Sequence, residues 1–421
     1  MNYKVIREKL AQELLFDKNG RRFPVHRVML KCFSLGLKCV VGLIFTFLLG
    51  PLSLIKPIEI WLMNTRLRKI SFFIEDLETG LRDLQSRDLG DQVWIIALYP
   101  HEFPNDYLAR MYRRQITILG PKQKWLAKVV RFVLPVFRIT RKRVMDRSET
   151  KFEKWNQGRR SLSFTNDEIE RGLALEKDLG LQVDQRFVCL AFQSGRYRAR
   201  VDEAQTVDSR VKNDLRSTIP DPSNYFSTIR FLNHHDIGVV RMGVLEEIEL
   251  PRNLGPLTYD YAYTHRSEFG DIWLASRCWF FLTAGSGAWW LGSIFGKRSL
   301  GTDEYSLKGT YGDQDLFIPQ LAQMTKNGEL ATFDWLVRNQ NWALDPDRVN
   351  KEYIIRKNSA EQILDVCEEM LLRIEGRWSE TVEDIELQTR FRQVQLGLPA
   401  GERAPARIGA KFLREYQHLL P

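Results

Sequence analysis

The sequence predicts an α/β protein of two Rossmann-like domains, preceded by an N-terminal hydrophobic, membrane-associating helical segment. Three observations predict it. Short apolar runs of strand length (VWIIAL at 93–98, RFVCLAF at 186–192, IGVVRM at 237–242, WFFLT at 279–283) alternate with amphipathic stretches, the pattern of buried parallel strands joined by crossover helices. The last run passes through Ala284-Gly285-Ser286-Gly287 straight into an apolar stretch opening Ala288-Trp289-Trp290, a strand, tight turn and helix start. Seventeen uncharged residues separate Lys38 from Lys56 near the N-terminus. At 421 residues the chain has room for two ordinary domains and an appendage.

Composition narrows the partners. An apolar fraction of 44% with 27% charged residues is that of a globular chain and excludes wholesale disorder. A net charge of +9 favours anionic partners: nucleotide, phospholipid or nucleic acid. Nucleic acid is not expected, because no recognisable RNA- or DNA-binding module accompanies the charge. Cys32, Cys39, Cys189, Cys278 and Cys367 are scattered without a C-x-x-C pair, so they read as small hydrophobes in a reducing compartment, and no metal site is expected.

In chain order, Lys18 to Ile58 contains no acidic residue but seven Lys and Arg. The polar lead of nearly thirty residues is too long for a signal peptide, and no small-x-small cleavage site follows. The segment 28–62 is expected to associate with a membrane through Val40, Leu43, Phe45, Phe47, Leu48 and Leu52. A spanning helix needs about 20 apolar residues, and Pro51 interrupts this run. Two arrangements follow: a single tilted span, or a helix-break-helix hairpin dipping into one leaflet with both flanks cytoplasmic, the arrangement preferred here. The competing explanation is a buried core helix of a soluble protein.

Thr65–Leu89 is an amphipathic connector with apolar residues at three- and four-residue intervals, stopped at Gly90. Gln92–Leu98 opens the first α/β domain and leads into the loop holding His101, Glu102 and Asp106, the richest group of acid–base side chains in the front half. Each has an ordinary alternative as surface polarity, and Asn105 or Asp106 is placed to cap the next helix. The basic run from Lys122 to Arg160 reads as a solvated face or as a surface for anionic lipid headgroups or a polyprenyl-phosphate. Thr165 and Glu168 form a capping box for a helix that Gly180 stops. The strand Arg186–Phe192 opens the second domain, and the loop after it, QSGRYRARV, holds Gln193, Arg196 and Arg198.

The strand at 237–242 ends in Arg241, and the Gly285-Ser286-Gly287 turn should reach the same C-terminal rim, where open α/β sheets bind ligands. A turn of this kind often does no more than reverse the chain. Joined to a helix N-terminus, it also offers free amides and a positive dipole end to an anion. The expected boundaries are 1–90 for the N-terminal helical region, 91–180 and 181–380 for the α/β domains, and 381–421 for a helical tail.

IGVVRMG, the L-x-Y-D-Y-A segment, RSEFGDIWLASRCWFFLTAGSG and FGKRSLGT together resemble a family of bacterial chains assigned as glycosyltransferases of the GT-B type. The resemblance runs with gaps from about Gln185 to the C-terminus. It implies a nucleotide-sugar donor held by the C-terminal domain, a glycan or lipid-linked acceptor, a catalytic base from the His101–Asp106 loop, and no metal or other cofactor. It also implies donor contacts from Arg196, Arg198, Arg241, Gly285, Ser286, Gly287 and Glu304. Gln193 stands where such chains tend to carry an arginine. A non-catalytic nucleotide- or sugar-binding descendant of the fold is the alternative.

Overall fold

The computed structural model describes residue 15 and residues 22–63, 69–89, 92–99, 102–143, 150–192, 219–244, 249–340, 342–345 and 347–421. The chain divides into two compact units, one of residues 1–65, 91–102 and 115–143, the other of 66–90, 103–114 and 144–421. The boundaries expected at 90 and 180 are therefore not those of the units. Both units are α/β with parallel sheets, as the alternation of apolar runs and amphipathic helices predicted.

The first unit holds four parallel strands, β1 (Ile58–Leu62), β2 (Trp94–Leu98), β3 (Thr117–Leu119) and β4 (Ile139–Arg143), in the order β3-β2-β1-β4. Ile58, Ile60, Leu98, Leu119, Val130 and Ile139 make its core. The first strand thus lies at 58–62, inside the segment expected to seek membrane, and not at 92–98. Its apolar residues are consumed by the sheet: Ile60 and Trp61 are fully buried.

The uncharged run forms one helix from Val25 to Ile55, unbroken at Pro51. The expected hairpin is not formed. A proline deletes one backbone hydrogen bond, and this helix is held along its second half by other contacts. Its buried residues are the small ones, Gly42, Thr46, Gly50 and Ser53, spaced to share one face. They seat on the segment Phe132–Arg138. A methyl group at Gly42 would stand 2.7 Å from Phe132 Cβ, so only glycine permits this approach. Thr46 Oγ1 accepts from the Leu134 N–H at 3.0 Å and donates back to the Gly42 carbonyl at 2.9 Å. Ser53 Oγ accepts from the Arg138 N–H at 3.4 Å. Phe45 and Leu49 pack on the sheet core, so Phe45, expected to face lipid, faces protein. The other five residues named for membrane contact, Val40, Leu43, Phe47, Leu48 and Leu52, are exposed.

The second unit is built on β5 (Phe187–Phe192), β6 (Gly238–Met242), β7 (Thr258–Tyr259), β8 (Phe280–Ala284), β9 (Arg298–Glu304), β10 (Leu316–Pro319), β11 (Leu321–Met324), β12 (Tyr353–Arg356) and β13 (Arg407–Ile408). Seven of them form a parallel sheet in the order β13-β10-β9-β8-β5-β6-β7, and β11 and β12 form an antiparallel pair. The stretch 381–421 is not a helical tail alone, since β13 extends the sheet. Every residue of β5, β6 and β8 is buried, as expected of strands covered on both faces.

Local signals account for several helices here. Thr165 and Glu168 form the capping box of helix Asn166–Leu179, which ends at Gly180. Ser267 caps helix Glu268–Arg277, accepting from the Gly270 N–H. The helix Ile70–Ser86 belongs to this unit and carries a buried charge: Glu78 accepts from Arg82 Nε at 2.9 Å, from the Tyr112 hydroxyl at 3.0 Å and from Ser161. Trp155, Trp290 and Tyr311 pack edge to face beside it.

Candidate functional site

Counted outward from β5, the large sheet runs 3-2-1-4-5-6-7 in order of appearance, with the chain turning from one side to the other between β5 and β8. In doubly wound folds the crevice outside the carboxyl ends of those two strands is the ligand site. Two loops leave there. One follows Phe192 and begins with Gln193; Gln193, Arg196 and Arg198 lie outside the described residues. The other is Gly285-Ser286-Gly287, directly after β8.

Gly285 takes φ +56°, which a side chain disfavours, and its N–H bonds the Thr302 carbonyl at 2.9 Å, tying the turn to β9. Ser286 Oγ accepts from the Ala288 N–H at 3.3 Å. The helix expected after this turn is only a 3-10 turn, Gly287–Trp289, and one α turn, Trp290–Ser293. Within it Trp289 stacks on Trp290, ring centroids 4.3 Å apart. So few aligned peptides leave little macrodipole, and Ser286 already satisfies one amide. The turn therefore contributes close approach for a ligand, with Gly287 exposed, rather than a strong dipole.

Arg241 lies level with Leu190 of β5, which on its other side lies level with Leu282 of β8. It does reach the predicted rim, but it is 4% exposed, and its Nε is 2.7 Å from Asp260 Oδ1. Asp260 follows β7 and its other oxygen accepts from the Leu250 N–H at 2.7 Å. The guanidinium is thus held inside the rim by a carboxylate. Asp260 sits in the L-x-Y-D-Y-A segment; only the adjacency of β6 and β7 reveals it as the partner.

Glu304 ends β9 on the same rim, opposite Pro319. The residue before it, Asp303, adopts φ +53°, a conformation that persists in a non-glycine residue only where the surroundings over-determine it. They do. Asp303 Oδ1 accepts from the Asn358 N–H at 2.8 Å, Asn358 Oδ1 accepts from the Asp303 N–H at 2.6 Å, and the Tyr225 hydroxyl donates to Asp303 Oδ2 at 3.1 Å. Enclosure, and then the neighbouring Asp303 carboxylate, push the Glu304 carboxyl up to about 8. It therefore carries a proton at neutral pH and can donate as well as accept.

That proton has a thermodynamic signature. In the unfolded chain Glu304 ionises near 4.5, whereas in the fold it resists ionisation until about 8, so the native state loses stability as pH rises between those values. Glu304→Gln keeps the neutral shape and removes the penalty. Denaturant titrations should show little advantage for the variant at pH 4.5 and a gain of about 3 kcal/mol at pH 7. A gain that does not depend on pH would contradict the neutral carboxyl.

Of the acid–base candidates of the front half, Glu102 and Asp106 lie among the described residues. Glu102 is exposed and belongs to the first unit. Asp106 belongs to the second, as the exposed first residue of helix Asp106–Tyr112. Asn105 caps that helix, accepting from the Leu108 N–H at 2.8 Å, while Glu268 accepts from the Asp106 N–H at 3.0 Å. His101 lies outside the described residues. Among the described residues no three His, Cys, Asp or Glu side chains stand together as a metal site. Sequence reasoning missed Asp260, Asp303, Tyr225 and Asn358, each of which acts on a partner distant in sequence.

No family model matches the chain, and no curated protein matches it. Among solved structures, it is similar to a glycosyl transferase family 9 protein from Veillonella parvula, with 11% identity, a TM-score of 0.43, and coverage of 75% of this chain and 98% of that one. It is similar to ADP-heptose LPS heptosyltransferase II of E. coli at 11% identity and a TM-score of 0.41, covering 75% and 99%. An iron-containing dodecameric glycosyltransferase from enterotoxigenic E. coli gives 12% identity and a TM-score of 0.37, covering 76% of each chain. Likenesses of this size carry no argument about activity, and the fold stated above rests on the strand order.

Proposed function

We propose that this chain is a membrane-associated glycosyltransferase of the GT-B type, moving a sugar from a nucleotide-sugar donor to a glycan or lipid-linked acceptor at the cytoplasmic face of the inner membrane. The observation that carries the reading is the switch point between β5 and β8, where the arginine-bearing loop after Phe192 and the Gly285–Gly287 turn both leave the large sheet. A diphosphate in that crevice would meet the exposed backbone of Gly287, and the segment that follows Phe192 is rich in arginine. In the proposed mechanism Arg196, Arg198 and the amides of the turn stabilise the leaving diphosphate, the task a divalent ion performs in other transferases. Glu304, neutral at pH 7, offers both donor and acceptor to a ribose or sugar hydroxyl. Arg241 acts through Asp260, shaping the rim from below.

A non-catalytic nucleotide- or sugar-binding role is the second reading. It is favoured by the burial of Arg241 against Asp260.

A thermal-shift panel of nucleoside diphosphates and nucleotide sugars on the full chain tests the proposal. The full chain is needed because one starting at Gly90 would lack β1, an interior strand of the first sheet. A nucleotide at a hundred times its dissociation constant should add about 2.7 kcal/mol, selectively for one base and undiminished by EDTA. No shift with any nucleotide would overturn donor binding. Selective binding without turnover on lipid-linked or glycan acceptors would favour the second reading.

A further inference from the structure

We propose that the first unit docks on anionic bilayers lying in the membrane plane, and that the segment Phe132–Arg138 is a second membrane-inserting element beside helix Val25–Ile55. The inference rests on the membrane half of the reading above and is independent of sugar transfer.

Helix Val25–Ile55 is long and apolar enough to cross a membrane, but its attachment to the first unit argues against a span. A bilayer core of about 30 Å requires about 20 apolar helical residues. From Gly42 onward the helix is seated on its own unit, with Phe45 and Leu49, partly buried, packed against the core of the four-stranded sheet. Driving that half through a bilayer would drag in the irregular backbone of 132–138, and lipid-exposed irregular chain does not occur at that depth. It would also drag in Arg131 and Arg138, which bracket the segment. Only Val25–Val41 is left, roughly 25 Å of helix, and it carries Arg27, Lys31 and Lys38.

The same packing makes a second apolar strip. The Phe137 ring lies against Gly50, at 3.0 Å from where a side chain there would begin, yet Phe137 is 58% exposed. Leu134 is bonded through its backbone to Thr46 while its side chain stays exposed, as does that of Val136. Trp125, on the neighbouring helix Lys124–Val130, is 63% exposed. These join Phe47 (69% exposed), Leu48 and Leu52 on the helix. An apolar surface of this extent on a folded unit marks a binding face.

Charge names its occupant. Within the described residues of this unit, thirteen Lys and Arg stand against two carboxylates, Glu59 and Glu102. Lys128, Arg131, Arg138 and Arg141, from the elements flanking the apolar strip, are exposed. Apolar side chains bordered by exposed cations match the boundary between acyl chains and anionic headgroups.

The test is co-flotation of the full-length protein with vesicles of phosphatidylcholine alone or mixed with phosphatidylglycerol, followed by alkaline carbonate extraction from native membranes. Binding should require phosphatidylglycerol, weaken with salt, and yield to carbonate. Leu134→Asp with Phe137→Asp should reduce vesicle partitioning by about tenfold or more, as should Phe47→Asp on the helix, with circular dichroism confirming that each variant is folded. No binding to either vesicle would overturn membrane association as a whole. Carbonate-resistant retention would overturn the in-plane arrangement while leaving association intact. A folded Leu134→Asp, Phe137→Asp double variant that binds like wild type, when Phe47→Asp does not, would remove 132–138 from the docking surface. None of these outcomes bears on donor binding, which is measured without lipid.

Discussion

Arg241→Ala is expected to lower the stability of the second unit by about 3 kcal/mol, because it strands the Asp260 carboxylate beside a nearly closed site. For a unit of this size that is on the order of 4–5 °C in melting temperature. Arg241 is 4% exposed and its Nε lies 2.7 Å from Asp260 Oδ1, so the pair is screened little by solvent. The double replacement Arg241→Ala with Asp260→Ala should recover a large part of the loss, since a missing pair costs less than a widowed charge. This order of effects separates two roles. If Arg241 only shapes the rim, the stabilised double variant retains donor affinity; if it touches phosphate, affinity stays low after stability returns. A single variant as stable as wild type in urea titrations would show that the ion pair is not formed in solution.

Glu78→Ala should be at least as costly, again about 3 kcal/mol or more. Glu78 is fully buried and accepts from Arg82, Tyr112 and Ser161 at once. Its removal leaves a buried guanidinium without its carboxylate and frees two hydroxyls from their acceptor. Glu78→Gln retains an acceptor and should lose less. The consequence reaches the candidate site, because Ser71 at the start of the same helix lies 3.1 Å from the space beside Gly287. A loosened helix should therefore weaken nucleotide binding as well as lower the unfolding midpoint. Equal midpoints for Glu78→Ala and wild type would contradict the network.

Much of the second unit was legible from short windows. The strands at 187–192, 238–242 and 280–284 announce themselves as continuous apolar runs, and Thr165 with Glu168 marks a helix start by residue type and spacing. Those signals are local, since a hydrogen bond from N-cap to N3 requires only four consecutive residues. The first sheet was harder. β1 sits within a generally apolar region, and period alone does not separate the end of a lipid-seeking run from a buried strand. The stop expected at Pro51 also failed, because contacts with Phe132–Arg138 hold the helix through the proline, and those contacts are more than eighty residues away.

The sequence by itself determined the α/β class, the central strands of the second unit, the basic N-terminal stretch and the two loops after Phe192 and Ala284, because hydrophobic period, capping chemistry and charge are properties of neighbouring residues. Tertiary structure alone decided the strand order that sets the switch point between β5 and β8, the pairing of Arg241 with Asp260, and which face of helix Val25–Ile55 is covered. The physical reason is common to all three. Strand adjacency, ion pairing and helix seating are contacts between segments far apart in the chain, and their free energies depend on geometry that no local pattern encodes.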